Sequence, residues 1–367
     1  MIPILFSATE TNFNTNGIGR LRSCTRCEVV EERNSIYEVE FDYPVDGVHF
    51  ADIILGSIIC ASHDDSGDLQ PFDIYASTKP IDGVVTFRGQ HISYRQKYMY
   101  ATLNSASSLS NAFGQIKSAY PSNPFNYITD MTVSRNLPIA DGIPRTVREI
   151  MGGSEGSILD TYGGEYLFDK WNVYLLSQRG KKKPVTIRYG VNMLEFSEDL
   201  DFSETYNAVV PYWKGDDGEG GQTVIIGQPV LSSESSYDGR TRCVPLDLSD
   251  SSETQPTLET LEMFARGYLA NNSPTLPNRN IKIDFIQLSE SDEYSMFSEL
   301  QKCQLCDYVT VAIPFYNMTG DFKIVRVVWD VLQERYTEME LGNLSTSLAQ
   351  ALGSKEKGML LWITDLF

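Results

Sequence analysis

Two Cys-x-x-Cys pairs are the residues whose types and spacing come nearest to a recognised chemistry. Cys24 and Cys27 form the first pair, and Cys303 and Cys306 form the second. Four thiolates in two such pairs can bind a zinc ion tetrahedrally. However, the pairs lie near opposite ends of the chain, and residues three apart in a strand point to opposite faces. We therefore predict small buried or half-exposed thiols, with no metal site and no cofactor.

Nucleophilic catalysis is the second chemistry to consider. Residues 152–156 match the pattern Gly-x-Ser-x-Gly around Ser154, but the hydrolase elbow needs a strand before the serine, and a helix is predicted here. The three histidines, His49, His63 and His91, form no metal-binding motif. A Cys–His nucleophile would require the fold to bring a thiol beside one of them. The sequence thus predicts no catalytic residue.

Charged runs are the third group of candidates. Five acids in one stretch could bind a cation or act as paired acid and base, although a solvated strand edge is the simpler interpretation. They are Glu195, Glu198, Asp199, Asp201 and Glu204. The three lysines at 181–183 are too few for a nucleic-acid patch, since the net charge is -19. Such a charge repels phosphate backbones, but it suits a surface past which DNA slides without binding.

The chain shows no sign of membrane insertion or secretion. No stretch approaches the roughly 18 apolar residues of a membrane span, and residues 1–13 lack the basic flank of a signal peptide. The six cysteines are therefore assigned to a reducing cytoplasm, where disulfides are rare. The length of 367 residues permits about two to four domains.

Residues 1–100 have the pattern of short β-strands. Apolar and polar residues alternate on both sides of a turn at Asn34–Ser35, which predicts a hairpin. Its expected inward residues are Val29, Ile36, Val39 and Phe41. Further short strands follow, separated by loops rich in Gly and Asp. Several strands at this spacing favour a small barrel or a sandwich.

Helices enter the pattern after residue 100. A first helix is predicted from the spacing of Leu109, Phe113, Ile116 and Tyr120, with nearby serines able to cap its start. A shorter one places Val147, Ile150 and Met151 on one face and ends at Gly152. Alternating strands at 165–177 and 184–192 surround a turn at the three lysines. Residues 101–193 are therefore predicted to form a mixed α/β module.

The β pattern resumes at about Leu194 and continues to residue 345, with one helical interruption. That helix is predicted within about 246–279, with four residues on its buried face. They are Leu258, Leu261, Ala265 and Tyr268. An exposed Gly-Asp loop is predicted at 214–221. The C-terminal extension, residues 346–367, overlaps an amphipathic stretch at 343–353 and ends in the apolar stretch 358–367.

A series of motifs between Ser157 and Trp213 is more specific than any of these patterns. The motifs are Gly163-Gly164-Glu165, Phe168-Asp169, Arg179-Gly180, Ile187-Arg188-Tyr189-Gly190 and Pro211-Tyr212. Residues 27–53, 70–75 and 300–311 carry further pieces of the same pattern. In this order and spacing, the chain resembles the prophage tail-protein family of Gram-positive siphophages, the tail-associated or tail-tip (baseplate hub) proteins. The resemblance covers most of residues 20–345.

The resemblance implies an α+β, β-rich hub fold shared with contractile-tail baseplate hubs, in which two β-barrel-like tube domains are joined by smaller α/β modules. Applied to this chain, it implies a first tube domain at 1–100, the middle module at 101–193, a second tube domain at 194–345 and the extension at 346–367. The segment 162–196 would then be a structural hairpin that sets one barrel against the other.

The function that the resemblance implies is structural. Such a protein would be a homotrimer that closes the distal end of the tail tube, lines the DNA channel and connects to the receptor-binding or cell-puncturing apparatus. Expected partners are the distal tail protein, the tail tube ring and the tape-measure protein, at the tip of a virion assembled in the bacterial cytoplasm. The alternatives are a tail-associated peptidoglycan hydrolase, or its N-terminal part, and a carbohydrate-binding adhesion module.

Overall fold

The computed structural model describes residues 1–78, 82–120, 122–188, 193–203, 205–216, 222–232, 238–249, 255–272, 278–285, 302–314 and 318–342. They divide into two compact units. Unit 1 contains the described residues before Glu198 and after Asn280, and unit 2 contains those of Glu198–Asn280. The predicted boundaries at residues 100, 193 and 345 concern tube domains and stay a prediction.

Unit 1 begins with eight strands and two 3-10 helices. The strands are β1 (Ile4–Phe6), β2 (Gly19–Arg20), β3 (Arg26–Glu32), β4 (Tyr37–Pro44), β5 (Ile58–Ser62), β6 (Leu69–Thr78), β7 (Val84–His91) and β8 (Tyr100–Asn104). The 3-10 helices are Phe50–Asp52 and Ile92–Tyr98. The β-rich character predicted for this region is confirmed.

The predicted hairpin is β3 and β4, which pair antiparallel. Asn34 has a φ of 58° in the turn, a left-handed conformation that asparagine tolerates better than most residues. Three of the predicted inward side chains are fully buried, namely Val29, Val39 and Phe41. Ile36 is only half-buried because β4 begins one residue later, so that Tyr37 takes the inward position.

The middle of the chain combines short helices and strands. They are α1 (Leu109–Ala119), β9 (Asn126–Thr129), β10 (Asp141–Thr146), α2 (Val147–Met151), α3 (Ile158–Tyr162), β11 (Glu165–Asp169), β12 (Asn172–Leu176) and β13 (Lys182–Arg188). The predicted helices are α1 and α2. Ser108 caps α1 by accepting a hydrogen bond from the Asn111 amide, and Gly152 follows α2 in an extended conformation. The turn predicted at the three lysines is wrong in part, because Lys182 and Lys183 already belong to β13.

The remaining elements are mostly strands. They are β14 (Met193–Asp201), β15 (Ala208–Asp216), β16 (Gln222–Ile226), β17 (Val230–Leu231), β18 (Cys243–Asp247), α4 (Leu258–Asn272), β19 (Asn278–Phe285), β20 (Tyr308–Ile313), β21 (Met318–Asp330) and β22 (Arg335–Gly342). The helix predicted in this part of the chain is therefore present as α4.

The strands of unit 1 join the two ends of the chain in one sheet. Hydrogen-bonded neighbours follow the order β22-β21-β3-β4-β7-β6-β5-β1-β2, and β20 and β13 branch from β21. The antiparallel β21–β3 pairing places Trp329 opposite Val29. Smaller sheets are β8 with β10, and β11-β12-β9. The α+β, β-rich class is confirmed, whereas the pairings of the described strands do not show closed barrels.

Unit 2 is built around β15. This strand pairs antiparallel with β16 and β17 and parallel with β18. Helix α4 buries Leu261, Ala265 and Leu269, and the hydroxyls of Tyr206 and Tyr268 lie 2.7 Å apart. Leu258, predicted on the buried face, is instead exposed, because it is the first residue of the helix.

Several predictions lie outside the described residues. They concern most of the Gly-Asp loop at 214–221, the amphipathic stretch 343–353, and the C-terminal extension 346–367. No helix among the described residues is long and apolar enough to cross a membrane.

Candidate functional site: a buried ionic junction

Two of the sequence motifs meet at one end of the β11–β12 hairpin. Glu165 begins β11 and pairs with Leu176 at the end of β12. Arg179 follows three residues later, so the Gly-Gly-Glu and Arg-Gly motifs lie side by side. The Arg179 amide donates a hydrogen bond of 2.7 Å to Glu165 Oε2. The hairpin geometry therefore concentrates opposite charges at this end.

Arg179 forms a bidentate ion pair with Glu31 of β3. Its two terminal nitrogens lie 2.6 and 3.2 Å from the Glu31 carboxylate oxygens, and the side chains are only 11% and 5% exposed. Burial lowers the pKa of Arg179, but the charge and hydrogen bonds of Glu31 outweigh this effect and leave the pKa raised. Arg179 therefore keeps its charge inside the protein.

Glu165 is a second buried carboxylate, and two cations from other parts of the chain contact it. Oε1 accepts a hydrogen bond from Lys323 Nζ of β21 and lies 3.0 Å from Arg33 Nε. Burial raises the pKa of Glu165, but Lys323, the Arg179 amide and Arg33 lower it by more, so the net pKa is lowered. One carboxylate thus links the β3–β4 turn, β11 and β21.

The turn of the first hairpin is fastened to the same place. Asn34 Nδ2 donates to the Gly164 carbonyl at 3.0 Å, and the Tyr166 amide donates to Asn34 Oδ1 at 2.8 Å. A single amide side chain thereby bonds a backbone acceptor just before β11 and a backbone donor within it. The Asn34 side chain therefore hydrogen-bonds the backbone at the start of β11, as a neighbouring strand would.

Gly180 carries the chain directly across the Cys306–Asp307 peptide. A Cβ at position 180 would lie 2.1 Å from the Cys306 carbonyl carbon and oxygen, far closer than real side chains approach. Asp307 Oδ1 accepts a hydrogen bond from the Lys181 amide at 2.9 Å, and the Tyr308 amide donates to the Lys181 carbonyl at 3.0 Å. Only glycine permits this crossing.

A polar cavity of about 370 Å³ adjoins the junction. Its lining includes Glu31, Arg179 and Asp307, together with Asp64 and Gln304. Gln304 Nε2 donates to Asp64 Oδ2 at 2.9 Å. The described charges around the cavity are therefore largely engaged with one another, which suits a rigid connection between chain regions better than turnover of a substrate.

The cysteines of the two Cys-x-x-Cys pairs are separate thiols. Cys27, Cys303 and Cys306 are buried, and Cys24 is half-buried. Burial raises the pKa of both Cys303 and Cys306 to about 12, which keeps these thiols protonated and poor ligands at neutral pH. Among the described residues, no group of three or more His, Cys, Asp or Glu side chains is arranged to hold a metal.

The candidate nucleophile and the histidines are dispersed. Ser154 lies after α2, a helix rather than a strand, and its hydroxyl donates to the Glu149 carbonyl at 3.1 Å. His49 Nδ1 lies 2.9 Å from Asp52, while His63 lines the cavity. His91 is fully buried and stacks on Tyr37, with ring centroids 4.5 Å apart. Burial lowers its pKa well below the usual range.

The charged runs are also dispersed. Lys182 pairs with Asp321 on the surface, whereas Lys183 Nζ lies 3.2 Å from Asp307. Asp201 accepts the Ser203 amide at 2.8 Å. The side chains of Glu195, Glu198, Asp199 and Glu204 lie outside the described residues.

The junction itself is absent from the sequence-based candidates, although one signal for it exists. Buried positions alternate along β3, and Glu31 occupies an inward position next to Cys27 and Val29. An acid at an inward strand position requires a buried cation, but nothing in the local sequence indicates which one.

Comparison with known proteins agrees with the motifs. Residues 181–352 match the sequence model of the family described as Prophage endopeptidase tail. The predicted resemblance to prophage tail proteins is thereby confirmed. No curated protein matches the sequence.

Solved tail proteins share the fold along nearly the whole chain. Prophage tail protein gp18 from Listeria monocytogenes EGD-e has a TM-score of 0.63 at 17% identity, covering 97% of this chain and 99% of its own. A tail protein from Neisseria meningitidis MC58 has a TM-score of 0.60 at 11% identity, covering 95% and 98%. The 43 kDa tail protein of prophage MuSo2 from Shewanella oneidensis has a TM-score of 0.59 at 10% identity, covering 93% and 98%.

The Gly180 crossing makes a sharp prediction about stability. Gly180→Ala should lower the free energy of unfolding by about 3 kcal/mol, because the backbone at Cys306–Asp307 must move to admit a methyl group. Urea denaturation followed by tryptophan fluorescence measures the change. Gly114→Ala is the matched control: the same substitution in open space within α1 should raise stability by about 0.5–1 kcal/mol. Equal changes in unfolding free energy for the two substitutions would contradict the close approach of Gly180 to the Cys306–Asp307 peptide.

The Glu31–Arg179 pair makes a second prediction. Arg179→Met should cost about 3–5 kcal/mol of unfolding free energy, because it leaves a buried carboxylate without its cation. Adding Glu31→Gln should recover part of that loss, which a double-mutant cycle detects. Lys182→Met, which breaks the exposed pair with Asp321, should leave the urea midpoint nearly unchanged. Additive losses for the two junction substitutions would refute the coupling.

Proposed function

We propose that the protein is a structural, non-enzymatic hub at the tip of a phage or prophage tail. In this role it closes the distal end of the tail tube, lines the DNA channel and connects the tube to the receptor-binding or cell-puncturing apparatus. The observation that carries the proposal is the fold shared with solved tail proteins over nearly the full length of both chains, together with the prophage-tail domain.

The buried junction supports a mechanical role. Arg179 pairs with Glu31 and Lys323 pairs with Glu165, so two buried ion pairs join distant parts of the sequence and are largely shielded from water. Buried charge pairs fix one arrangement more than they add stability. A protein that transmits force between a tube and a tip apparatus needs such fixed geometry.

The assembly follows from the same proposal. A tail tube is a hexameric ring, so three copies, each supplying tube domains at 1–100 and 194–345, would present six similar surfaces to it. The middle module 101–193 would set these domains against each other within the homotrimer. Closed cyclic symmetry is the usual way to satisfy such interfaces. The net charge of -19 would give the channel a wall on which DNA phosphates find few cations.

A reconstruction of the particle tests the assembly. We expect three copies in one ring at the tail tip, in contact with the distal tail protein and the tube ring, around a negatively charged channel. Six copies per ring, or one tube domain per chain, would rule out the proposed arrangement.

The family that residues 181–352 match is named for endopeptidase tails, so a peptidoglycan hydrolase is the second candidate. The described serine–histidine contact nearest to a catalytic pair joins His91 Nδ1 to Ser93 Oγ at 3.0 Å. Both residues are fully buried, and the same nitrogen accepts the Ser93 amide. A substrate would have no access to this pair, so it favours a structural role for both side chains.

Zymography on Gram-positive cell walls separates the two candidates. We expect no cleared band from the purified protein at an amount at which lysozyme clears the same gel. Ser93→Ala and Ser154→Ala serve as matched variants. A band from the wild-type protein that either substitution abolishes would overturn the non-enzymatic proposal.

A further inference from the structure

A groove of about 540 Å³ lies between helix α1 and strand β9 in unit 1. The helix contributes Ser110, Gly114 and Lys117, which recur at the spacing of one helical face, and the strand contributes its residues 126–129. The groove is therefore an elongated space between a helix and the side of a strand.

The strand wall of the groove is a sheet edge. β9 pairs parallel with β12, and the described residues place no strand on its other side. The Asn126 amide donates to the Trp171 carbonyl at 2.8 Å, so the backbone groups of Asn126 and Ile128 face β12. Those of Tyr127 and Thr129 consequently face the groove, because backbone groups alternate in direction along a strand.

The helix wall leaves room for an added chain. A Cβ built on Gly114 meets no atom within 4 Å, and a glycine in a helix interior costs about 1 kcal/mol relative to alanine. Tyr127 stacks on Phe113 at 5.4 Å between ring centroids, which holds helix and strand apart at a fixed distance. Ile128 is 41% exposed and offers an apolar contact in the groove.

The charge of the groove is opposite to that of the chain. Lys117 is the one charged side chain among the described residues that line it, although the chain carries a net charge of -19. Its ammonium donates to the carbonyls of Asn123 and Phe125 at 2.8 and 2.7 Å. An ammonium has three N–H groups, so one donor remains for a carboxylate.

We propose that this groove binds an extended peptide segment of a partner protein, which adds a strand to β9 and places a carboxylate at Lys117. Strand addition to an exposed edge gains affinity from backbone hydrogen bonds and specificity from alternate side chains. In this geometry, Tyr127 and Thr129 supply the backbone groups, Ile128 contacts an apolar side chain, and Gly114 admits the chain between helix and strand.

The test uses the full-length protein and a random ten-residue peptide library displayed on messenger RNA. Peptides are selected on the wild-type protein and then assayed against Gly114→Leu, which fills the groove while improving the helix propensity of α1. Gly267→Leu is the matched control, because Gly267 also lies in a helix with open space around its Cβ position. Circular dichroism checks that both variants fold.

We expect selected peptides with alternating apolar residues and an Asp or Glu, whose binding weakens by roughly tenfold or more in Gly114→Leu and is unchanged in Gly267→Leu. Methylating the peptide nitrogens that face β9 should abolish binding. Methylating the alternate set, which faces away from β9, should leave binding unchanged. Failure to select any peptide that distinguishes the two variants would overturn the proposal. So would self-association abolished by Gly114→Leu in sedimentation experiments, since the occupant would then be a second copy of the chain.

Discussion

The passage of the Gly180 backbone across the Cys306–Asp307 peptide is the constraint on which unit 1 depends. It fixes the residues on both sides: Arg179 can then reach Glu31, and Lys181 can exchange hydrogen bonds with Asp307 and Tyr308. A backbone crossing with no room for a methyl group has few alternative arrangements. The charges at the junction are therefore positioned by the chain path as much as by their attraction.

The geometry of the Glu31–Arg179 pair decides whether burying these two charges stabilises the fold. Removing Glu31 and Arg179 from water costs several kcal/mol for each ion, and their attraction in the interior offsets that cost only when the geometry is good. The bidentate contact provides such geometry. The net gain in stability is thus small, whereas a misplaced hairpin would leave two buried charges unpaired. The ion pair chiefly selects against wrong arrangements of the β11–β12 hairpin.

The sequence predicted helices and hairpins correctly where the residues that determine them lie close together along the chain. The β3–β4 hairpin follows from alternation around Asn34, and α1 follows from the spacing of Leu109, Phe113 and Ile116. The errors at Ile36 and Leu258 arose at element ends, where one residue decides which side chain points inward. The ordered motifs between Ser157 and Trp213 predicted the family. Composition alone did not indicate one.

The junction could not be predicted, for a physical reason. Glu31 at an inward position of β3 shows that a buried cation is needed, yet Arg179 reaches it only after the chain has folded. In the same way, Lys323 reaches Glu165 only in the folded chain. Likewise, Gly180 looks like an ordinary turn glycine until the Cys306 backbone lies against it. The position of β9 at the edge of its sheet also could not be predicted, because it depends on the order of the strands β11, β12 and β9 and not on the residues of β9.

The β3–β21 pairing has a consequence for the order of events during synthesis. Because Val29 pairs with Trp329, the outer edge of β3 has no partner while the ribosome translates the intervening sequence. Folding with such distant pairings is slow, and an uncovered strand edge is prone to join another chain. Each nascent chain must therefore be kept from its neighbours until β21 emerges, so translation speed and chaperone supply would limit how much native protein a cell can make.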